Sequence, residues 1–418
     1  MLEQAGEYMA AGYFSEPGAS PLRRMCLGLR RYLQTCPLPE YRGEPLYPCS
    51  DSIFSSDQAM RFHYSSAMGM DRALLERKIE AAEVGVADAL RGFRDTMTGY
   101  PMVQGYTHSI VNFGRILREG LSGYQARIEG HLATARARGD EERVDFHESL
   151  LILLDGIAAL HGRVCDLLSV SDDPGAARLL AAFAEVPFSP AESFYQAIVG
   201  TNFIYYVDGS DDLGRLDQDL GPYYEADRAL ERVTHAEAVE WVGRLFDNVN
   251  ICNGWNCAIG GKAADGSDGS NALTLVCLEA ARGRRRPNLA LRLARHTPDE
   301  VWEQALDTIS GGTGIPALYD EEEYIRAIHE NGLGVAEQDL PWFAFGGCTE
   351  LMVHGRSNVG SLDAHYNLAQ CLDATLHRHL AACSSFGQFL GRFRQAVARE
   401  IAELTDEVSG WQETKARH

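Results

Sequence analysis

The alternation of apolar and polar positions divides the chain into a helical first half and a mixed second half. Apolar residues recur at helical spacing in four stretches, at 71–93, about 110–137, about 141–168 and 176–185. Six prolines between positions 17 and 48 predict that residues 1–70 form an irregular lead-in and not a packed element. We therefore predict a helical region at 71–190.

After residue 190 short apolar runs alternate with helical patterns. Residues 203–207, which are aromatic and β-branched, predict a strand, and residues 289–293 predict another. Helices are predicted at 271–281 and 321–330. Strands that alternate with helices indicate an α/β architecture, which we place at 191–366. The tail, 367–418, has the pattern of a long helix with little interruption.

Composition and charge limit the partners. The net charge of −21 argues against nucleic acid and anionic membrane surfaces as partners. The most apolar stretch, 150–160, is too short for a membrane span, and no signal peptide is visible. The ten cysteines include no C-x-x-C pair, and His377 and His379 are poorly spaced for a metal, so no metal site is predicted. Reduced thiols indicate a cytoplasmic protein.

The candidate chemistry lies in Gly346-Gly347-Cys348-Thr349-Glu350, which follows an apolar run at 341–345. The two glycines predict that the backbone passes where a side chain would not fit. In an extended backbone Cys348 and Glu350 would point into the same space, a sulfur beside an acid or base. A buried structural cysteine beside a surface glutamate is the plainer interpretation of these five residues.

Five segments, in order, resemble the glycyl radical enzymes, which include pyruvate formate-lyase, glycerol and diol dehydratases, choline lyase and arylacetate decarboxylases. The segments are 105–109 with 115–123, 194–197 with 214–224, 259–261 with 265–268 and 271–273, 286–292, and 311–316 with 320–322, leading to 347–350. The resemblance implies an α/β fold: a mostly helical N-terminal shell, then half of a glycyl-radical-enzyme-type α/β barrel that encloses a cysteine loop.

The resemblance also implies radical chemistry. The family's cysteine at the position of Cys348 becomes a thiyl radical that abstracts hydrogen from a substrate, and the glutamate at the position of Glu350 acts as general acid or base. Pyruvate formate-lyase itself has adjacent cysteines here, whereas this chain has Thr349. The expected reaction is therefore radical C–X cleavage by a lyase, dehydratase or decarboxylase acting on a small polar molecule.

Four further residues stand at or near substrate positions of the family. His108 and Glu321 match a substrate histidine and aspartate, although a core histidine and a helix N-terminal carboxylate are equally ordinary roles. Asn112 stands where an aspartate is usual, and Asn202 lies near a position that usually carries histidine. The resemblance makes these four residues candidate substrate contacts.

The family stores its radical on a C-terminal glycine, in a loop that residues 407–411 echo in four letters only. We expect that glycine domain to be absent from this chain and no cofactor to be bound directly. A half-barrel leaves two sheet edges bare. A second polypeptide with the other half-barrel and the radical glycine, or a second copy of this chain, is therefore expected, together with an S-adenosylmethionine iron–sulfur activating enzyme.

Two other functions stay open. The chain could be a radical-free homodimeric descendant of the family that binds a ligand or has a structural role. It could also use Cys348 as an ordinary thiolate nucleophile beside a base.

Overall fold

The structure is a computed structural model and describes residues 2–48, 75–97, 108–208, 212–251, 254–263, 265–347, 349–357 and 366–417. It divides into two compact units, Met1–Leu74 with His108–Val359, and Leu75–Thr107 with Gly360–His418. Each is described by itself below. The division into lead-in, shell, half-barrel and tail follows different boundaries and stays a prediction.

Helices account for most of the described chain. Besides a helical segment at 75–81, they are, in chain order, α1 (Leu2–Tyr13), α2 (Pro21–Thr35), α3 (Val84–Met97), α4 (Phe113–Arg138), α5 (Glu141–Ser169), α6 (Pro174–Phe183), α7 (Phe194–Asp208), α8 (Leu216–Ala229), α9 (His235–Ile251), α10 (Ala272–Ala280), α11 (Asp299–Ser310), α12 (Glu321–Glu330), α13 (Leu368–His379) and α14 (Phe386–Arg417). The helices predicted at 110–137, 141–168, 271–281 and 321–330 are thereby confirmed.

The prediction of an irregular lead-in is wrong for much of its length, because α1 and α2 are helices. Helix α2 packs on α5 and buries Tyr32 and Leu33. Ser20 caps it, and Pro21 occupies the first turn, where proline fits because that backbone N–H has no helical partner. Pro21 therefore marks the start of a packed helix and not a lack of packing.

The strand predicted at 203–207 is also wrong, since these residues lie in α7. Every residue from 197 to 206 is buried, so this part of the helix has no solvent-facing side. A short apolar run cannot distinguish a buried strand from a buried helix by periodicity alone.

The sheet of the first unit consists of three parallel strands in the order β1 (Asn256–Gly260), β2 (Asn288–Leu293) and β3 (Ala317–Asp320). Helices α10 and α11 connect them, as parallel strands require. Parallel bridges from Ile110 to Asp212 and from Arg215 to Ala258 continue the array beyond β1. The structure thus has the α/β architecture that the sequence predicts, including the strand at 289–293.

The two faces of this sheet differ in side-chain size where Ala258 pairs with Ala290, and Arg292 lies further along the same face as these alanines. The face toward the helical core carries large apolar residues, which are Cys257, Ile259, Leu289, Leu291 and Leu293. The opposite face carries Ala258 and Ala290, paired in register with each other and with Ala317 of β3. Because successive side chains of a strand alternate between faces, this pattern follows from the sequence. The small residues leave room for another element on that face.

A hairpin occupies this face. Strand β4 (Phe343–Gly346) pairs antiparallel with β5 (Glu350–Val353), and Phe343, Phe345 and Met352 pack in one cluster with Ala258 and Ala290. All four residues of β4 are buried, as predicted for the apolar run. The hairpin brings residue 347, which precedes Cys348, to its tip.

The second unit contains α3, α13 and α14, and α14 contacts both of the others. The predicted tail helix is divided by a 3-10 turn (Leu380–Ala382) and a short connection. Residues 407–411 lie within α14. Among the described residues no helix is both long and apolar enough to cross a membrane.

Candidate active site at the cysteine hairpin

The glycines at the hairpin tip are required by close contacts. A Cβ on Gly346 would lie 2.1 Å from Met352 Sδ, and a Cβ on Gly347 would lie 2.2 Å from His108 Nε2. Gly347 also has a φ of +55°, which side chains other than glycine rarely adopt. The prediction that side chains would not fit here is confirmed, and the backbone beside Cys348 lies directly against His108.

A buried carboxylate holds the tip. The backbone N–H of Gly347 donates to both oxygens of Asp212 at 3.1 Å, and the N–H of Asn256 donates to Oδ1 at 2.8 Å. His108 Nδ1 lies 3.8 Å from Asp212 Oδ2. Asp212 is fully buried, and a carboxylate that accepts backbone N–H bonds in a dry site is strongly held. It therefore connects the tip, the start of β1 and the His108 segment.

His108 completes the polar surroundings of Gly347. Its ring is 2% exposed and meets Trp255 edge-on, with 5.6 Å between the ring centroids. On another strand, Asn288 Nδ2 donates to the Gly347 carbonyl at 3.5 Å. The structure thus places His108 at the cysteine loop. Cys348 itself lies outside the described residues, and the role of His108 toward substrate stays a prediction.

Glu350 opens β5 directly opposite Gly346 in the hairpin register. It is half-buried, and its Oε2 accepts the backbone N–H of Thr349 at 2.9 Å. The side-chain alignment of Cys348 with Glu350 concerns a residue outside the described part, so their catalytic pairing stays a prediction.

The two asparagines have structural contacts. Asn112 caps α4 by accepting the N–H of Arg115 at 3.1 Å. Asn202, in α7, donates to the Pro48 carbonyl at 3.0 Å and accepts from Asn248 at 2.8 Å. These bonds account for the conformations of both side chains. A substrate contact for either residue stays a prediction.

Glu321 forms a bidentate ion pair. Arg292 Nε and Nη2 donate to its two oxygens at 2.8 and 2.6 Å, and both side chains are fully buried. The Lys262 N–H adds a bond of 3.2 Å to Oε1. Both oxygens of the carboxylate are therefore engaged by the protein, and its contact with substrate likewise stays a prediction.

Sequence reasoning missed two buried arginines beside the hairpin. Arg292 donates to the Phe343 carbonyl at 2.6 Å, and Arg215 donates to the Pro341 carbonyl at 2.5 Å and the Gly260 carbonyl at 2.6 Å. Burial lowers the pKa of Arg292, and burial together with the nearby Arg292 charge lowers the pKa of Arg215 to about 9. The available signal was a charged residue inside the apolar strand sequence at 288–293, because a buried charge needs a partner.

A histidine after β5 was also missed. His354 Nε2 lies 2.9 Å from Asp219 Oδ2, and its Nδ1 accepts the backbone N–H of Arg215 at 3.2 Å. Its ring stacks on Trp342, which precedes β4. His354 therefore links the end of the hairpin to its beginning and to α8.

Other reactive groups in the described ranges offer no competing centre. No group of three or more His, Cys, Asp or Glu residues there could hold a metal ion. The cysteines that the structure describes are free. Burial raises the pKa of Cys257 and Cys277 well above its usual value, which keeps these thiols protonated and inert.

A helical shell around a parallel sheet, with a glycine–cysteine hairpin lying on the sheet face, defines the class of the glycyl radical enzymes. The pyruvate formate lyase-like family model matches residues 87–396, and the chain belongs to that family. The family predicted from the five segments is thereby confirmed.

The curated relatives match this chain over part of their own length. It is 28% identical over 302 residues to isethionate sulfite-lyase of Desulfovibrio desulfuricans and 30% identical over 271 residues to that of Nitratidesulfovibrio vulgaris. The matches cover 63% and 56% of this chain but 36% and 32% of those proteins. The chain thus spans about a third of the length of the curated relatives that it matches.

The fold is shared with solved enzymes. The glycerol-bound B12-independent glycerol dehydratase from Clostridium butyricum superimposes with a TM-score of 0.75 at 18% identity, over 99% of this chain and 62% of that one. At this identity the similarity establishes the fold alone, and the predicted fold class is confirmed.

Proposed function

We propose that this chain is the cysteine-bearing subunit of a split glycyl radical enzyme that cleaves a C–X bond in a small polar molecule. The observation that supports this most is the hairpin tip, where Gly347 lies against His108 and Asp212 on the small-residue face of the sheet. Such packing holds the backbone next to Cys348 in one place, as a residue that must meet a carbon atom at a fixed distance requires.

Cys348 and Glu350 would divide the chemistry. A radical on the Cys348 sulfur takes a hydrogen atom from a substrate carbon, so that an S–H bond forms and a C–H bond breaks. The two bonds are close in strength, and the hydrogen can therefore return at the end of the turnover. Glu350 would take a proton from the substrate or give one to the leaving group. The starting radical would come from a glycine outside this chain, installed by an S-adenosylmethionine iron–sulfur enzyme.

The second subunit would close the sheet. Strand β3 pairs only with β2 among the described residues, and its Leu318 is 42% exposed. Beside it, Trp302 is 38% exposed in a cleft of about 490 Å³. An open strand edge with apolar neighbours is a typical surface for pairing with another chain. In this proposal the partner carries the second half-barrel and the radical glycine.

Anaerobic reconstitution tests the proposal. The chain is combined with a candidate glycine-bearing partner and an activating enzyme, and substrates of the relatives, isethionate and glycerol, are offered first. We expect Cys348→Ala to abolish turnover and Cys383→Ser, a partly buried thiol of the second unit, to preserve it. Turnover that survives Cys348→Ala would overturn the radical role. A stable homodimer whose ligand binding is indifferent to Cys348→Ser would favour the radical-free alternative.

A further inference from the structure

The base of the cysteine hairpin is held by buried charge. Arg292 donates to the carbonyls of Phe343, at 2.6 Å, and Pro341, at 3.1 Å, while Glu321 binds the same guanidinium through both oxygens. The guanidinium also lies 3.7 Å from the centre of the Phe343 ring. One ion pair therefore fixes both the main chain and the side chain at the residue where β4 begins.

The orientation of the guanidinium depends on the carboxylate. A bidentate pair fixes the plane of the arginine fork, and the remaining N–H groups can then point only in set directions. In this orientation the remaining N–H groups donate to the carbonyl of Phe343, at the start of β4, and to that of Pro341 just before it. Without Glu321, the buried charge of Arg292 would lose its partner, and the fork could rotate or be displaced.

The base and the tip of the hairpin lie close together along β4. Four residues of strand span roughly 13 Å. All four residues of β4 are buried and paired in register with β5, so a shift at one end is passed along the strand. The base is fixed at Phe343 and the tip at Gly347, through Arg292 and Asp212 respectively. A loss of order at the base would therefore reach the residue that precedes Cys348.

Glu321 is poorly suited to contact a substrate directly. Its side chain is fully buried, and it accepts bonds from Arg292 and from the Lys262 backbone. A substrate that bound to this carboxylate would have to displace the guanidinium and leave a buried charge without a partner.

We propose that Glu321 and Arg292 are positioning residues that set the placement of the Cys348 hairpin, and that Glu321 acts on the reaction through Arg292. The inference rests on the proposed function for its catalytic consequence, but its structural part does not. It can be tested on the isolated chain, without radical activity.

The test measures the order of the hairpin directly. Backbone amide exchange of residues 343–353 and the rate of Cys348 alkylation by iodoacetamide are followed by peptide mass spectrometry. The variants are Glu321→Gln and the double change Arg292→Met with Glu321→Leu, since replacing both members of a buried ion pair by apolar residues generally preserves folding. Glu323→Gln is the matched control, because Glu323 lies on the same helix in an exposed pair with Arg326.

We expect amide exchange of the hairpin and alkylation of Cys348 to rise at least tenfold in both variants and to stay unchanged in Glu323→Gln. In the reconstituted enzyme Glu321→Gln should lower kcat while KM stays constant. The inference would be overturned if the double variant folded and its hairpin amides exchanged at the wild-type rate. It would also be overturned if Glu321→Gln raised KM while its hairpin amides exchanged at the wild-type rate. A loosened hairpin in a chain that shows no turnover under any reconstitution would support the positioning role and refute the proposed function.

Discussion

The contact between Gly347 and His108 at the hairpin tip gives a sharp prediction about stability. In Gly347→Ala the new methyl group would lie 2.2 to 2.6 Å from three atoms of the His108 ring. The ring has little room to yield, because it is 2% exposed and packs edge-on against Trp255. The substitution therefore combines backbone strain with a steric overlap.

The two contributions can be estimated separately. A left-handed conformation in a residue other than glycine costs about 1 to 2 kcal/mol. Overpacking of a buried site costs about 1 to 3 kcal/mol more. We expect Gly347→Ala to lower the free energy of unfolding by about 2 to 5 kcal/mol. Gly266→Ala is the control, since Gly266 has a φ of +82° and a Cβ there would meet no atom within 4 Å.

The measurement is urea unfolding of Gly347→Ala, of Gly266→Ala, of His108→Ala and of the double variant that combines Gly347→Ala with His108→Ala. Removal of the ring should relieve the overlap, so the double variant should be less destabilised than the sum of the single changes by about 1 to 3 kcal/mol. The proposed contact with His108 would be refuted if Gly347→Ala were no more destabilising than Gly266→Ala. It would also be refuted if the effects of Gly347→Ala and His108→Ala on the free energy of unfolding were additive.

Three further predictions concern other parts of the first unit. Asn112→Ala should lower stability by about 1 kcal/mol in thermal unfolding and Asn112→Ser should retain most of it, because serine also caps helices; an equal loss in both would argue against the cap. Burial lowers the pKa of His161, whose neutral ring donates to the Phe183 carbonyl at 3.1 Å, so its contribution is complete above pH 6.5 and declines as the pH falls below that value. The fall in the urea midpoint between pH 7.5 and 5.5 should then be smaller in His161→Gln, and an unchanged fall would contradict this. Cys257 and Cys277 should resist iodoacetamide at pH 8 in the native protein and react after unfolding, whereas rapid native labelling would show that burial does not protect them.

The sequence alone determined the elements whose signals are local. Helical periodicity located α4, α5 and α12, and the glycine pair at 346–347 indicated a close backbone contact. These predictions succeed because they depend on local sequence. A helix repeats within four residues, and the need for a glycine depends on the backbone conformation and contacts of that one residue. The order of five short segments was likewise sufficient to identify the family.

Local signals failed where burial removed the contrast between faces. The pattern at 203–207 predicts a strand because such a run has no polar side to reveal its period, whereas the structure shows a helix that is buried from 197 to 206. The six prolines of the lead-in predict an irregular segment, although Pro21 begins α2. Both errors concern what a segment packs against, which its own residues do not encode.

The partners of the buried charges depend on how the chain folds in three dimensions. Gly347 is held by Asp212, 135 residues away, and Arg292 is shared between Glu321 and a carbonyl 51 residues away. No periodic pattern in the sequence relates such positions. Their pairing depends on the register of the sheet and on the packing of the hairpin against Ala258 and Ala290. A charge in an apolar strand predicts that a partner exists, and only the folded chain, which excludes water from that site, determines which residue it is.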